Sequence, residues 1–339
     1  MEEELLSFYK SEGRKLPWRK RDVSFYEVLV SETMLQQTRV EKVLSYYDRF
    51  LRKFPSLEKL ARAKEEEVLK LWEGLGYYSR ARNLLKAARM LSPLTSLPET
   101  KEELLSVPGI GEYTSKAILA LFFHKREFAV DGNLLRVHSR LTKDDRSLAT
   151  RKKNAELYFQ EHLRKGDPSD LNQALMDLGE LICLPNGMPR CALCPFKEDC
   201  LAHKGHVETL YPKKERKQQR KEEKRTVFLF FLDGRYVLRK RKEKGLLHNL
   251  YEFPNVKQTF RDEGSLKKYL SQEGIHFQRV EFLTKSAHVF SHLLWKMDNV
   301  EVILRQEAKD KDWIYVTREE LENYAIPSAF QAIKKKIES

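Results

Sequence analysis

Two acidic residues and four cysteines carry most of the chemistry legible in this chain. Glu32 is the single carboxylate of "LVSETMLQQT", residues 29–38, whose other members are apolar or uncharged. At helical spacing Val28, Glu32 and Leu35 share one face, so the carboxyl is expected in apolar surroundings. Burial there disfavours the charged form and raises the pKa. Asp131, in "FAVDGNLLRVHSRL", precedes an amphipathic pattern and is placed as the N-cap of a helix, whose dipole keeps it ionised. One carboxyl that holds its proton and another that stays charged suit acid-assisted glycosidic cleavage. The first protonates a leaving group and the second supports an oxocarbenium ion. Spacing alone does not bring the two together, and a plain helix cap is the commonest job for such an Asp.

Cys183, Cys191, Cys194 and Cys200 are the only cysteines, separated by seven, two and five residues in "CLPNGMPRCALCPFKEDC". A disulfide framework would spread them along the chain, so this crowding points to a metal centre. Structural zinc takes two short-spaced pairs, and only one Cys-x-x-Cys occurs here. A single dense loop with Pro195 after a ligand is closer to iron–sulfur ligation. On spacing alone, zinc and plain thiols stay open.

The elements that must hold these groups can be read coarsely. From residue 1 to about 202, apolar residues recur at three and four, as in "EEVLKLWEGLGYYSRARNLLKAARML", with punctuation at Pro55, Pro93, Pro98 and Pro108. In "LLSVPGIGEYTSKAILALFF", Pro108, Gly109 and Gly111 form a turn between two helical patterns. Glycines there let the backbone approach a partner, and the next helix aims its first N–H groups at the same place. An ordinary helix–turn–helix corner is the bland alternative. "KGHVETLYPKKERKQQRKEEKR" holds nine Lys/Arg and four Asp/Glu with almost no apolar content, and reads as a solvated linker. After Thr226 the period changes to strands: "TVFLFFLDGRYVLRKRK" is a hairpin around Asp233-Gly234. "HVFSHLLWKM", "VEVILR" and "DWIYV" continue the strand pattern, with helices expected near 265–273 and 327–338. The domains are therefore 1–203, mainly α with the cysteine loop 183–200; a basic linker, 204–225; and 226–339, mixed α+β.

At 339 residues the chain is comfortable for two domains, and its net charge of +13 favours a polyanion, nucleic acid first and an anionic membrane surface second. The N-terminus "MEEELLSFYK" is acidic where a targeting peptide would be basic, and no apolar run approaches membrane length. The expectation is a cytoplasmic protein, nucleoid-associated if bacterial, with no membrane partner.

"LPWR", "SETMLQQT", "GLGYYSRARNL", "VPGIGEYTS", "VDGNLLRV" and "NQALMDLGELIC" occur in an order that resembles the adenine DNA glycosylase (MutY) family of the helix–hairpin–helix DNA glycosylase superfamily. "GLLHNLYEFP" and "HVFSH" resemble that family's C-terminal Nudix-like (MutT-like) domain. The resemblance implies a [4Fe–4S] cluster on the four cysteines. It implies double-stranded DNA with A:8-oxoguanine or A:G mismatches as partner, bound by a monomer. The enzyme would flip adenine out of the duplex and hydrolyse its N-glycosidic bond.

The resemblance also assigns roles. Glu32 would protonate adenine at N7 and later activate water. Asp131, supported by Asn133, would stabilise the cation at C1′. Tyr113 occupies the position where bifunctional relatives carry a Schiff-base lysine, which implies a monofunctional enzyme; Lys116 lies one turn further on. Trp18, Arg19 and Gln173 would line the adenine pocket. Gln37, with Thr38, and Tyr77, with Leu75 of the same motif, would occupy the vacated space in the duplex. Pro108, Gly109 and Gly111 would meet the DNA backbone. Phe290, Ser291 and His292 would read 8-oxoguanine, which gains an N7 donor where guanine has an acceptor.

Two departures stand out. The first cysteine gap is seven residues where the family usually has six, and the second domain lacks the glutamate-rich Nudix box, so pyrophosphate hydrolysis is not expected. Two competing readings are a bifunctional glycosylase for oxidised pyrimidines, disfavoured by Tyr113 and the second domain, and a non-catalytic DNA-binding scaffold, disfavoured by Glu32 and Asp131.

Overall fold

The computed structural model describes residues 1–213, 219–243 and 245–338. Its helices in chain order are α1 (Glu2–Glu12), α2 (Phe25–Leu35), α3 (Val40–Lys53), α4 (Leu57–Ala61), α5 (Glu65–Leu71), α6 (Ser79–Leu91), α7 (Lys101–Ser106), α8 (Glu112–Leu121), α9 (Gly132–Thr142), α10 (Leu148–His162), α11 (Pro168–Asp177), α12 (Leu201–Lys204), α13 (Glu263–Gln272) and α14 (Gln331–Glu338). Contacts divide the described chain into two units: residues 1–63 with 79–213, and residues 64–78 with 219–338.

The first unit is helical, and the site elements follow from local sequence. Ser24 starts α2 with a capping box, its side chain accepting from Glu27 N while the Glu27 carboxylate accepts from Ser24 N. Nine of the eleven α2 residues, Glu32 among them, are buried, so the helix is enclosed on nearly every side. Between α7 and α8 the turn requires Gly109. Its φ is +86°, and a Cβ there would meet Asn83 Cβ at 2.7 Å. Asp131 caps α9, accepting from Asn133 N and Leu134 N at 2.8 Å each. Helix α11 continues into a π-helical turn, Leu178–Ile182. There Gly179 abuts Asn133; a Cβ would lie 2.6 Å from Asn133 Cβ. Leu5, Phe128, Leu134, Phe159, Leu175 and Phe196 belong to a core that joins α1, α9, α10 and α11 to the cysteine loop.

The second unit is a mixed sheet with one helix against each face. Its strands are β1 (Lys221–Leu232), β2 (Arg235–Lys240), β3 (Tyr251–Glu252), β4 (Asn255–Val256), β5 (Phe277–Phe282), β6 (Ser286–Val289), β7 (Leu293–Leu304) and β8 (Trp313–Val316). The main path is β3-β2-β1-β7-β5, with β4 on β1, β6 on β7 and β8 on β2. Strands β1 and β7 are parallel, Lys221 opposite Leu293 through Phe231 opposite Ile303, and the other pairs are antiparallel. Ile333 and Ile337 of α14 pack in one core with Trp295 and Phe253; Leu266 and Leu270 of α13 pack in the other with Phe228 and Val302.

Two boundaries differ from the sequence reading. Residues 221–225, read as the end of the linker, form the start of β1. Three of their charges are paired there, with Glu222 on Lys296 at 2.7 Å and Arg225 on Glu223 at 2.5 Å. Residues 214–218 of that linker lie outside the described residues. Residues 64–78, whose helical pattern matched the first domain, fall with the second unit. Glu66 pairs with Lys240 at 2.8 Å, Asn249 donates to Glu65 at 3.0 Å, and Lys70 donates to the Tyr324 carbonyl at 3.1 Å. No helix among the described residues is long and apolar enough to cross a membrane.

Candidate active site

An open cleft of about 890 Å³ in the first unit is lined by Glu32, Tyr113, Asp131 and Asn133, which come from α2, α8 and the start of α9. Trp18, Arg19, Gln37, Thr38 and Gln173 line the same cleft. The two carboxylates that spacing could not join thus share one cavity.

Their environments differ. Glu32 is 4% exposed, and its Oε2 makes no hydrogen bond among the described residues. Burial, the largest cause, and the charge of Asp131 raise its pKa to about 7, against a hydrogen bond from Tyr113 and the charge of Arg19. Burial also raises the pKa of Asp131, a direction opposite to the one the helix-cap reading emphasised. The N–H groups of Leu134 and Asn133, the Arg136 charge and the Asn133 amide oppose that rise. Tyr113 is held well above the usual tyrosine range by burial and by both carboxylates, so it keeps its proton and donates.

The carboxylate of Asp131 is oriented by a chain of hydrogen bonds. Asn133 Nδ2 donates to Asp131 Oδ2 at 3.0 Å, and Arg136 Nη2 donates to Asn133 Oδ1 at 2.7 Å. Arg136 also donates to the carbonyls of Gly179 and Cys183, each at 2.7 Å. Arg19 is fixed by Asp177, a fully buried carboxylate that accepts two bonds from it, at 2.6 and 3.0 Å, and two from Arg14, at 2.6 and 2.9 Å. Gln173 accepts from the Tyr9 hydroxyl and donates to Ser169 Oγ, both at 2.8 Å. Trp18 is buried, with its ring edge-on to Tyr47.

Other sequence-predicted residues lie elsewhere. Gly111 is the N-cap of α8, and Pro108 and Gly109 border a separate small pocket with Arg80. In the second unit Tyr77 is 46% exposed, its hydroxyl 2.9 Å from Ser291 Oγ, while Leu75 is buried in the fold. Phe290 is partly buried, packing on His288 and Trp295; Ser291 and His292 are exposed.

Cys183, Cys191 and Cys194 are partly buried and Cys200 is buried. Burial pushes the Cys194 thiol up to about 12, and charge on the other three cysteines pushes it the same way. Burial also raises the Cys191 and Cys200 thiols, and with Cys183 these residues form a set of four soft donors of the kind a soft metal centre takes, so the loop fits such a centre. Arg140 Nη1 donates to Cys183 Sγ at 3.2 Å. His203 and Glu208, with Cys191, place ligand atoms within 4.8 Å of one another. Sequence reasoning missed these two, and also Arg14, Asp177, Arg80 and Arg136. Asp177 carried a signal: it is a lone carboxylate in the apolar run "ALMDLG", the same signature as Glu32.

Residues 30–165 match the HhH-GPD superfamily base excision DNA repair protein model, and residues 226–336 match the NUDIX domain. The adenine DNA glycosylase of Buchnera aphidicola (subsp. Schizaphis graminum) is 30% identical over 97% of this chain and 96% of its own length. That of Rattus norvegicus is 32% identical over 97% of this chain and 76% of its own. The chain belongs to the adenine DNA glycosylase family. Membership makes it a DNA N-glycosylase of base excision repair, with a helical helix–hairpin–helix unit and a Nudix-type unit. Among solved structures, a thermostable thymine-DNA glycosylase is 27% identical with a TM-score of 0.52, covering 60% of this chain and 94% of that one. A trapped endonuclease III–DNA covalent intermediate, 22% identical with a TM-score of 0.51, covers the same shares and has the same fold.

Proposed function

We propose that this adenine glycosylase family member excises adenine opposite 8-oxoguanine or guanine in duplex DNA and leaves the strand uncut. The observation that carries the reading is Glu32: a buried carboxyl with a pKa of about 7, in one cleft with Asp131. Adenine extruded into this cleft meets an acid that still holds its proton near neutrality.

Glu32 gives its proton to adenine N7. The C1′–N9 bond then breaks with its electron pair going to the base, which leaves neutral. Asp131 faces the resulting cation at C1′ as an anion. The Glu32 carboxylate takes a proton from water as the water oxygen bonds to C1′, which restores the acid and gives an abasic sugar. Tyr113 donates a hydrogen bond to Glu32 and has no amine to attack C1′, which supports a monofunctional reaction. Arg19, Gln173 and Trp18 line the adenine pocket, and Phe290, Ser291 and His292 read 8-oxoguanine.

Cys183, Cys191, Cys194 and Cys200 would hold a [4Fe–4S] cluster, which when bound cross-links the loop that carries the Arg136 acceptor at Cys183.

The test is a duplex with adenine opposite 8-oxoguanine, incubated with protein and then treated with hot alkali. A break at the adenine that depends on alkali and is absent with Glu32→Gln is expected. No break with the wild-type protein, or a break that needs no alkali, would contradict the reading.

A further inference from the structure

We propose that Arg80 is a positioning residue for base extrusion, whose buried guanidinium closes the end of α2 and fixes the turn that presents Gln37 to the duplex. The inference rests on the function proposed above.

The last turn of a helix leaves carbonyl groups without partners, and its negative dipole end favours a cation. Helix α2 ends at Leu35 with no glycine after it. Arg80, 7% exposed in α6, takes that place. Its Nη1 donates to the carbonyls of Thr33 at 3.1 Å, Met34 at 2.9 Å and Gln36, and its Nη2 donates to Thr38 Oγ1 at 3.0 Å. From the opposite side Gln36 Nε2 donates to Thr114 Oγ1 of α8 at 3.2 Å. Between these two anchors Gln37 has φ +58°, a left-handed conformation that residues other than glycine rarely adopt. The outcome is a division of labour between adjacent glutamines: Gln36 is tied inward, and Gln37 stands exposed at the cleft.

Arg80 itself does not line that cleft, so its effect on DNA passes through the turn. The fork holds the carbonyls with one terminal nitrogen and the Thr38 hydroxyl with the other; a lysine ammonium is one compact point and cannot serve the carbonyls and the hydroxyl together.

The test is a double-mutant cycle on full-length protein between Arg80→Lys and Gln37→Gly, a change that keeps the left-handed backbone accessible. Extrusion is read from 2-aminopurine fluorescence in place of the target adenine, excision from single turnovers with adenine opposite 8-oxoguanine. Each single variant is expected to lower both readouts, by roughly 10²-fold in excision, and the double variant to lose little more than either. The alkaline limb of the excision rate is expected to stay in place, because Glu32 is not the group disturbed. Additive losses, or wild-type extrusion in Arg80→Lys, would overturn the inference while the function stands. A wild-type protein silent on every adenine duplex would overturn the function and this inference together. If Arg80→Lys fails to fold, Thr38→Val removes the Nη2 acceptor while keeping the side chain's shape at the cleft. A loss of extrusion non-additive with Gln37→Gly is then expected, and wild-type extrusion overturns the proposal.

Discussion

Glu32 and Tyr113 face each other in the cleft, and the tyrosine hydroxyl donates to a carboxyl group that burial keeps protonated up to about pH 7. The tyrosine bond works against that shift, so the apolar walls and the Asp131 charge outweigh it.

A first consequence concerns stability. The folded pKa of Glu32 is about 7 against an ordinary value of 4.5, so between these pH values the folded state binds a proton that the unfolded state has lost. Stability therefore falls as pH rises through this window. Glu32→Gln removes the dependence, with a gain of ~3 kcal/mol above the folded pKa that vanishes below the unfolded one. Urea unfolding of both proteins at about pH 4 and about pH 8 measures it; an equal difference at both would contradict the assignment.

Asp131→Asn separates capping from catalysis. Asparagine caps helices as well as aspartate does, so the thermal midpoint should move by only a few degrees. The negative charge beside C1′ is lost, and single-turnover excision should fall roughly 10²–10³-fold. A folded variant that keeps its rate would show that Asp131 is only a cap.

Asp177→Asn leaves Arg14 and Arg19 short of a buried counter-charge, at a cost on the order of 3–5 kcal/mol. Arg19 already lowers the Glu32 pKa, and without Asp177 its charge acts on Glu32 undiminished. The alkaline limb of the excision rate should therefore move to lower pH, and Asp177→Glu should restore it in part. An unmoved limb would reduce Asp177 to a purely structural role.

Ser291→Ala tests the second unit. Loss of one hydroxyl contact to a base edge should cost about 0.5–1.5 kcal/mol of preference for 8-oxoguanine over guanine opposite the adenine. Excision from the A:G duplex should change little. Equal losses on both duplexes would remove Ser291 from lesion reading.

What could be read in advance was local. A lone carboxylate in an apolar helix, an Asp before an amphipathic one, a glycine turn and the Asp233-Gly234 hairpin each carry their cause within a few residues, and Glu32, Asp131, Gly109 and the β1–β2 turn appear as those causes demand. What escaped depends on partners distant in sequence. Arg80 reaches back to Thr33–Thr38, and Asp177 joins Arg14 and Arg19 from the other end of the unit. The start of β1 was hidden because its charged residues look solvated until Lys296 and the Trp295 ring, which lies 4.1 Å from the Arg225 guanidinium, are placed beside them. The π-helical turn after Asp177 contains Gly179, which abuts Asn133 from far back in the chain, a contact that no periodicity encodes.

The pH profile of single-turnover adenine release from a duplex with 8-oxoguanine opposite tests the pairing of a protonated Glu32 with an anionic Asp131 most directly. The rate should be level on the acid side of neutrality and fall tenfold per pH unit above about 7, the value held by Glu32. A rate that stays flat or rises well into the alkaline range would contradict it.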